Sequence, residues 1–428
     1  MQSIRRGVLV VLVAPLLASC QLLPGDDEGA PPAPPVPAVV VAPAPPIGAI
    51  DADFFGMHDH DPLSWPHASI GSLRVWDAGV TWRDVEVSPG VYNFDRLDAI
   101  VDAAEENDAE ALIVLGQTPP FHAERPEAES FYGPGASSPP TMESWTAYVR
   151  AVASRYEGRP VFFQVWNEAN IKGFWRGTPA EMAALTKAAY DVLATMTPRP
   201  TLVAPAFVTR LIGQRAWFDS FYGEKVDGAP VADLVDVVSL QLYPDSSGTP
   251  ETAMQLLEAA KVTLDRHEVN KPIWNTEVNY GLTGIDVEPA PVEAQQAKVA
   301  RTMLLNAAND VDRVYWYGWD QQGNVDTLLT EPDGSALTPA GTAYLTVQDW
   351  LVGSVVESCD IDSVGTYTCT LRRSDSVRRV YWNPSGNSQL NLPPSATVYQ
   401  RLDGDQTRAT KGHSQDVGTL PLMVESSK

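Results

Sequence analysis

Two apolar runs in this chain end on carboxylates. The segment "FFQVWNEAN" (162–170) leads into Asn167 and Glu168, and "IWNTEVNYG" (273–281) leads into Glu277. A buried charge without a partner is costly. Each glutamate therefore either leaves the core as its run ends or is kept there for use. They lie 277 − 168 = 109 residues apart, the span of three strand–helix units. If those units close a barrel, strands four and seven face each other across its mouth, and barrel chemistry sits at the C-terminal ends of strands. Two carboxyl groups facing across a cleft lined with aromatics suit glycoside hydrolysis. Either glutamate alone reads equally well as a rim carboxylate in a salt bridge; the pair at matching positions favours chemistry.

The elements that must position them follow from periodicity. Strands are expected at 51–58, 72–77, 109–117, 160–168, 201–207, 236–244, 271–279 and 313–320. Helices are expected at 94–107, 141–156, 178–196, 214–222, 250–267, 292–309 and 339–353. Leu97, Ile100, Val101 and Ala104 give the first helix one apolar face. Thr178, Pro179 and Glu181 form a capping signal for the third. The strands are continuously apolar, as in a parallel sheet covered on both faces. Eight units in order predict an α/β fold, a (β/α)8 TIM barrel over 50–352. A doubly wound sheet is disfavoured, because no Gly-rich phosphate loop follows the first strand. Over 353–428, short alternating strands broken by turn signals predict a small all-β sandwich.

The N-terminus carries Arg5 and Arg6, then an apolar run from Val8 to Leu17. That run is too short to favour a membrane-spanning helix over an export signal. "LASC" resembles a bacterial lipobox, which implies a signal peptide over 1–19 and lipidation of Cys20. The Pro/Ala-rich stretch over 20–49 reads as an extended tether, and its Pro-rich part could reach roughly 75 Å. With 54 acidic against 30 basic residues, a net charge of −24, no basic face for nucleic acid can be drawn. The remaining cysteines, Cys359 and Cys369, are expected to pair in an oxidising compartment. No cysteine set has zinc-site spacing.

Beyond the two glutamate motifs, "LRVWDAGVTWRDVEVSPGVYNFDRLD" (73–98) places Arg74 on strand two, and "RVYWYGW" (313–319) forms an aromatic strand eight. Together with "VWNEAN" and "WNTEVNYG", these segments resemble glycoside hydrolase clan A, most closely its family 39 β-xylosidase-like branch. The resemblance implies a retaining mechanism with Glu168 as general acid/base and Glu277 as nucleophile. Trp166 or Trp175 would wall Glu168, and Arg74 would hold Glu277 ionised. Asn167 would bond the sugar 2-hydroxyl, Tyr243 would donate to the nucleophile, and Trp316 would floor the sugar. Many clan members carry His-x-Tyr at the end of strand six, where this chain has "QLY" with Gln241. No cofactor or metal is implied. The expected partner is a wall or capsular glycan, the expected location extracytoplasmic with an N-terminal lipid anchor as the membrane contact, and the expected state a monomer.

Two other readings compete. His58 and His60 in "GMHDHD" resemble the His-x-His dyad of metal-dependent amidohydrolases, but no histidine ends strand five or six to complete such a site. They would otherwise contact sugar hydroxyls or hold the barrel rim. A barrel lipoprotein could also bind glycan without cutting it. The loop after strand three, "TPPFHAERPEAESFYGPGASSPP" (118–140), is expected to shape one end of the cleft.

Overall fold

A computed structural model describes residues 48–281, 287–320, 323–410 and 412–427. The leader, Cys20 and nearly all of the tether lie outside the described residues. Eight parallel strands form the barrel: β1 (Phe55–His58), β2 (Ser72–Val75), β3 (Glu110–Leu115), β4 (Val161–Val165), β5, β6 (Val238–Gln241), β7 (Ile273–Val278) and β8 (Val311–Tyr317). Strand β5 comes in two pieces, Leu202–Val203 and Phe207–Val208. The first pairs with β4 and the second with β6, which closes the ring. A bridge between Val203 and Val237 tightens the seam. Pro205 lies in the gap, and a proline has no N–H to give a ladder; the sequence pattern alone suggests one unbroken strand there.

The helices around the ring are α1 (Asp95–Glu106), α2 (Met142–Arg155), α3 (Pro179–Leu193), α4 (Ile212–Gly223), α5 (Pro250–Arg266), α6 (Val292–Ala308) and α7 (Pro339–Leu351). Helix α1 buries Leu97, Ile100, Val101 and Ala104, as its spacing requires. At α3 the capping box forms in both directions: Glu181 N–H donates to Thr178 Oγ1 at 3.2 Å, and Thr178 N–H donates to Glu181 Oε2 at 2.6 Å. The connection from β1 to β2 differs from its neighbours. It holds only a one-turn helix, Pro62–Ser64, because residues 59–71 have no apolar helical period. The first strand is also shorter than its apolar run, since Ala52–Phe54 turn as a 3-10 helix. One apolar layer fills the space between strands and helices, and a separate cluster of Leu112, Val203, Val237, Trp274 and Tyr315 fills the barrel's interior.

Eight antiparallel strands follow: β9 (Val355–Ile361), β10 (Tyr367–Arg372), β11 (Ser376–Trp382), β12 (Ser388–Asn391), β13 (Ala396–Gln400), β14 (Gln406–Arg408), β15 (Ser414–Val417) and β16 (Leu422–Ser427). Six make one sheet, ordered β9-β10-β11-β16-β13-β14, while β12 and β15 form a ribbon. The ribbon's Leu390 and Val417 cover Tyr381, Leu422 and Val424 on one face of the sheet. Leu371, Val380 and Met423 join the barrel's own apolar layer. Cys359 and Cys369 stand opposite each other on β9 and β10 and are disulfide-bonded.

Candidate active site

The turn that ends β4 answers why a buried strand finishes on Asn167 and Glu168. Trp166 and Glu168 take left-handed backbone angles, φ +61° and +42°, a conformation that costs non-glycine residues of order 1–3 kcal/mol. Packing holds it. The Trp166 ring is buried, donates its N–H to the Phe174 carbonyl at 2.8 Å and lies against Gly116, where a Cβ would sit 3.1 Å from the ring. The reversal turns Asn167 toward the barrel axis. Its side-chain oxygen accepts from Arg74 Nη2 at 2.6 Å and from Gln241 Nε2 at 2.9 Å. Glu168 is buried beside it.

Glu277, on β7, is 8% exposed and gathered into a shell of donors. Its Oε2 accepts from Arg74 Nη1 at 2.7 Å and Gln241 Nε2 at 3.0 Å, with His58 Nδ1 at 3.4 Å. Its Oε1 accepts from the Tyr243 hydroxyl at 2.8 Å. Burial alone would raise this carboxyl. The hydrogen bond and charge of His58, with the Arg74 guanidinium, outweigh it and hold the group below its ordinary range. Arg74 is fully buried; it also donates Nε to Gln164 Oε1 at 2.9 Å, and Gln164 in turn donates to Ser239 Oγ at 2.6 Å. The guanidinium is thus fixed by β4 and β6 as well as by its own strand.

Several expectations need correction. Trp316 does not face the mouth. It registers with Met57, while its neighbours Tyr315 and Tyr317 register with Gly56 and His58. Side chains alternate along a strand, so Trp316 points to the helix layer, where it packs near Tyr280 at 6.2 Å. Tyr317 takes the inward place, 4.9 Å from the His58 ring and clustered with Tyr243. Trp175 is buried, lies edge-on to Trp166 at 4.8 Å and donates to the Thr178 carbonyl at 3.4 Å, so it braces the β4 turn and offers no surface to a sugar. His58 is completely buried, with Nε2 on Asp77 Oδ1 at 2.7 Å, and it backs Glu277 instead of touching substrate. His60 meets the other oxygen of Asp77 at 2.7 Å and lies 2.8 Å from the Tyr317 hydroxyl.

Asp77, Gln164 and Tyr317 are site residues that sequence reasoning passed over. Asp77 follows the Arg74 strand directly in "LRVWD", and the alternation that places Arg74 inside would have flagged Tyr317 against His58. Tyr132 is another. It comes from the loop after β3, which docks on the β4 turn through Phe131 N–H to Gly173 O at 3.2 Å and Ser130 Oγ to the same carbonyl at 2.9 Å. Gly173 is needed for that approach, since a Cβ there would meet the Phe131 ring at 2.0 Å. Burial and the charges of Asp77, Glu277 and Glu168 push the Tyr132 hydroxyl well above its ordinary value, so all three carboxylates act on it.

Comparison with known proteins bears on this arrangement. The family model described as glycosyl hydrolases family 39 matches residues 60–317. The chain belongs to that family. The chain is 27% identical over 212 residues to a β-xylosidase of Caldicellulosiruptor saccharolyticus, covering 44% of this chain and 41% of the relative. It is 28% identical over 110 residues to a β-xylosidase of Geobacillus stearothermophilus, covering 23% and 22%. The matched stretches thus span well under half of these curated relatives. A solved family 39 β-xylosidase from Caulobacter crescentus superposes with a TM-score of 0.64 at 17% identity, covering 89% of this chain and 98% of that one. That likeness establishes the shared barrel-plus-β-domain fold.

Proposed function

We propose that this family 39 member is a retaining glycoside hydrolase, with Glu277 as nucleophile and Glu168 as general acid/base. The observation that carries the reading is the asymmetry at Glu277. Among the described residues, Oε2 is bonded by Arg74 and Gln241 and approached by His58, whereas Oε1 takes one hydrogen bond, from Tyr243. Oε1 therefore keeps a lone pair for attack on the anomeric carbon, and the donors on Oε2 keep the group ionised until it reacts. Glu168 begins protonated and gives its proton to the departing glycosidic oxygen. Water then enters, Glu168 takes its proton, and the glycosyl ester at Glu277 is released with retained configuration. Asn167, with its oxygen held by Arg74 and Gln241, keeps its NH2 for the sugar 2-hydroxyl.

The substrate we infer is an extracytoplasmic oligo- or polysaccharide, met by an enzyme exported and lipidated at Cys20. Because the curated relatives are named β-xylosidases, aryl β-xylosides head the panel to be tested, followed by other aryl glycosides and cell-wall glycans. A 2-deoxy-2-fluoro glycoside is expected to label Glu277, read by peptide mass. Products of inverted configuration, or turnover unchanged in Glu277→Ala, would overturn the assignment. Binding of glycan retained by a wild type that turns nothing over would favour the non-catalytic reading. Membrane fractionation of a Cys20→Ser variant tests the anchor, with loss of the protein from membranes expected.

A further inference from the structure

Behind Glu277 lies a chain of groups that the double displacement does not use. His58 bonds Asp77 through Nε2, and His60 bonds the other oxygen of the same carboxylate. The far nitrogen of His58, Nδ1, lies between two groups that ask opposite things of it. Arg74 Nη1, 3.2 Å away, is always a donor and requires a bare Nδ1. Glu277 Oε2, 3.4 Å away, is an acceptor and requires Nδ1–H. One nitrogen cannot satisfy both.

We propose that Asp77 is a positioning residue which decides this contest. Its carboxylate at Nε2 gives His58 the counter-charge to hold a second proton on Nδ1, so that the imidazolium donates to Glu277. This inference rests on Glu277 being the nucleophile. The surroundings of His58 agree with it. Arg74 and Asp77 face it from β2 and just beyond, Glu277 from β7, Tyr317 from β8, and Asp59 and His60 from the segment after β1; the Asp77 charge also acts on the Tyr132 hydroxyl. Burial works against charge on His58, yet the charge and hydrogen bond of Asp77, then those of Glu277, raise it above its ordinary value. Burial would likewise raise Asp77, but the two histidines hold it well below the carboxylate range. Asp77 is itself nearly inaccessible, with its side chain 10% exposed, so water screens the pair little.

Nitrogen-15 NMR of the full chain labelled at histidine tests this without any need for turnover. In the wild type at pH 7, both ring nitrogens of His58 should carry protons. In Asp77→Asn the His58 midpoint should fall by about one pH unit or more, leaving Nδ1 bare. A bare Nδ1 in the wild type, or a titration unmoved by the substitution, overturns the proposal, and the wild-type arm decides even where the variant does not fold. Kinetics give a second reading on any glycoside the wild type cleaves. Removing the Asp77 charge would by itself lower the Glu277 carboxyl, since Asp77 raises it through space. If Asp77 acts through His58, the acidic limb of kcat/KM instead moves upward. A downward move, or a uniform loss at every pH, overturns the proposal. Absence of any turnover alongside the expected NMR result counts against the glycosidase reading and the service of Asp77 to a nucleophile, while its control of the Nδ1 proton stands on the NMR.

Discussion

Among the described residues, Tyr243 is the donor on the oxygen of Glu277 that would attack. A hydrogen bond to a charged group contributes about 1.5–3 kcal/mol. Tyr243→Phe is accordingly expected to lower kcat about 10–100-fold with the fold intact, read by steady-state kinetics and an unchanged melting curve; wild-type turnover would remove the tyrosine from the mechanism. His60 offers a pH test of stability. Burial would lower it, but Asp77, Asp59 and Glu277 raise it from 6.5 to about 9. A group whose folded value is raised contributes its full stability below its unfolded value and loses that contribution as pH climbs through the folded one. The melting temperature should therefore fall from pH 6.5 to 9, and His60→Gln should flatten that slope. A slope equal in the variant would mean that another group titrates there.

The elements divide by how local their causes are. Helix α3 was legible because its cap, its first-turn proline and its apolar period all lie within one stretch, and Thr178→Ala should cost about 1 kcal/mol in denaturant unfolding; no change would mean that packing alone fixes its start. The glutamates at the ends of β4 and β7 were legible because a charge closing an apolar run is a local contradiction. Trp316 shows the limit. The run "VYWYGW" has no polar residue to mark its inward phase, so which aromatic faces the mouth depends on pairing with β1, a partner more than 250 residues away. The break in β5 is similar, in that its two pieces pair with different neighbours to close the ring, whereas the absence of a full helix between β1 and β2 follows from the local lack of an apolar period over 59–71. Tyr132 was out of reach because its loop is positioned by a backbone contact to Gly173 in another loop, and no periodicity encodes such a contact.

At the scale of the whole molecule, the question is whether the β-domain is an appendage or part of the barrel's core. The contacts favour the second. Trp350 of α7 is fully buried and donates its indole N–H to Gln400 Oε1 at 2.8 Å. Trp382 of β11 is buried too, and donates to Glu251 Oε1 at 3.1 Å. Glu251 opens α5 and is also paired with Arg301 of α6, so the sheet is coupled to two barrel helices as well as to α7. Arg378 donates to the Asp349 carbonyl at 2.6 Å, satisfying a C-terminal carbonyl of α7 that has no partner within the helix. Fully burying one large apolar side chain contributes about 1.5–3 kcal/mol, and native domains keep only about 5–15 kcal/mol in total. Exposing Trp350 together with its apolar neighbours would remove a large part of that margin. A chain ending at residue 352 is therefore expected to be insoluble or to melt well below the full chain. Trp382→Ala, measured in the full chain, should lower stability by about 3–5 kcal/mol and weaken the barrel and the sheet together, giving one unfolding transition by calorimetry. Two separate transitions, with the barrel's unchanged, would show that the sheet folds and unfolds independently of the helices it covers.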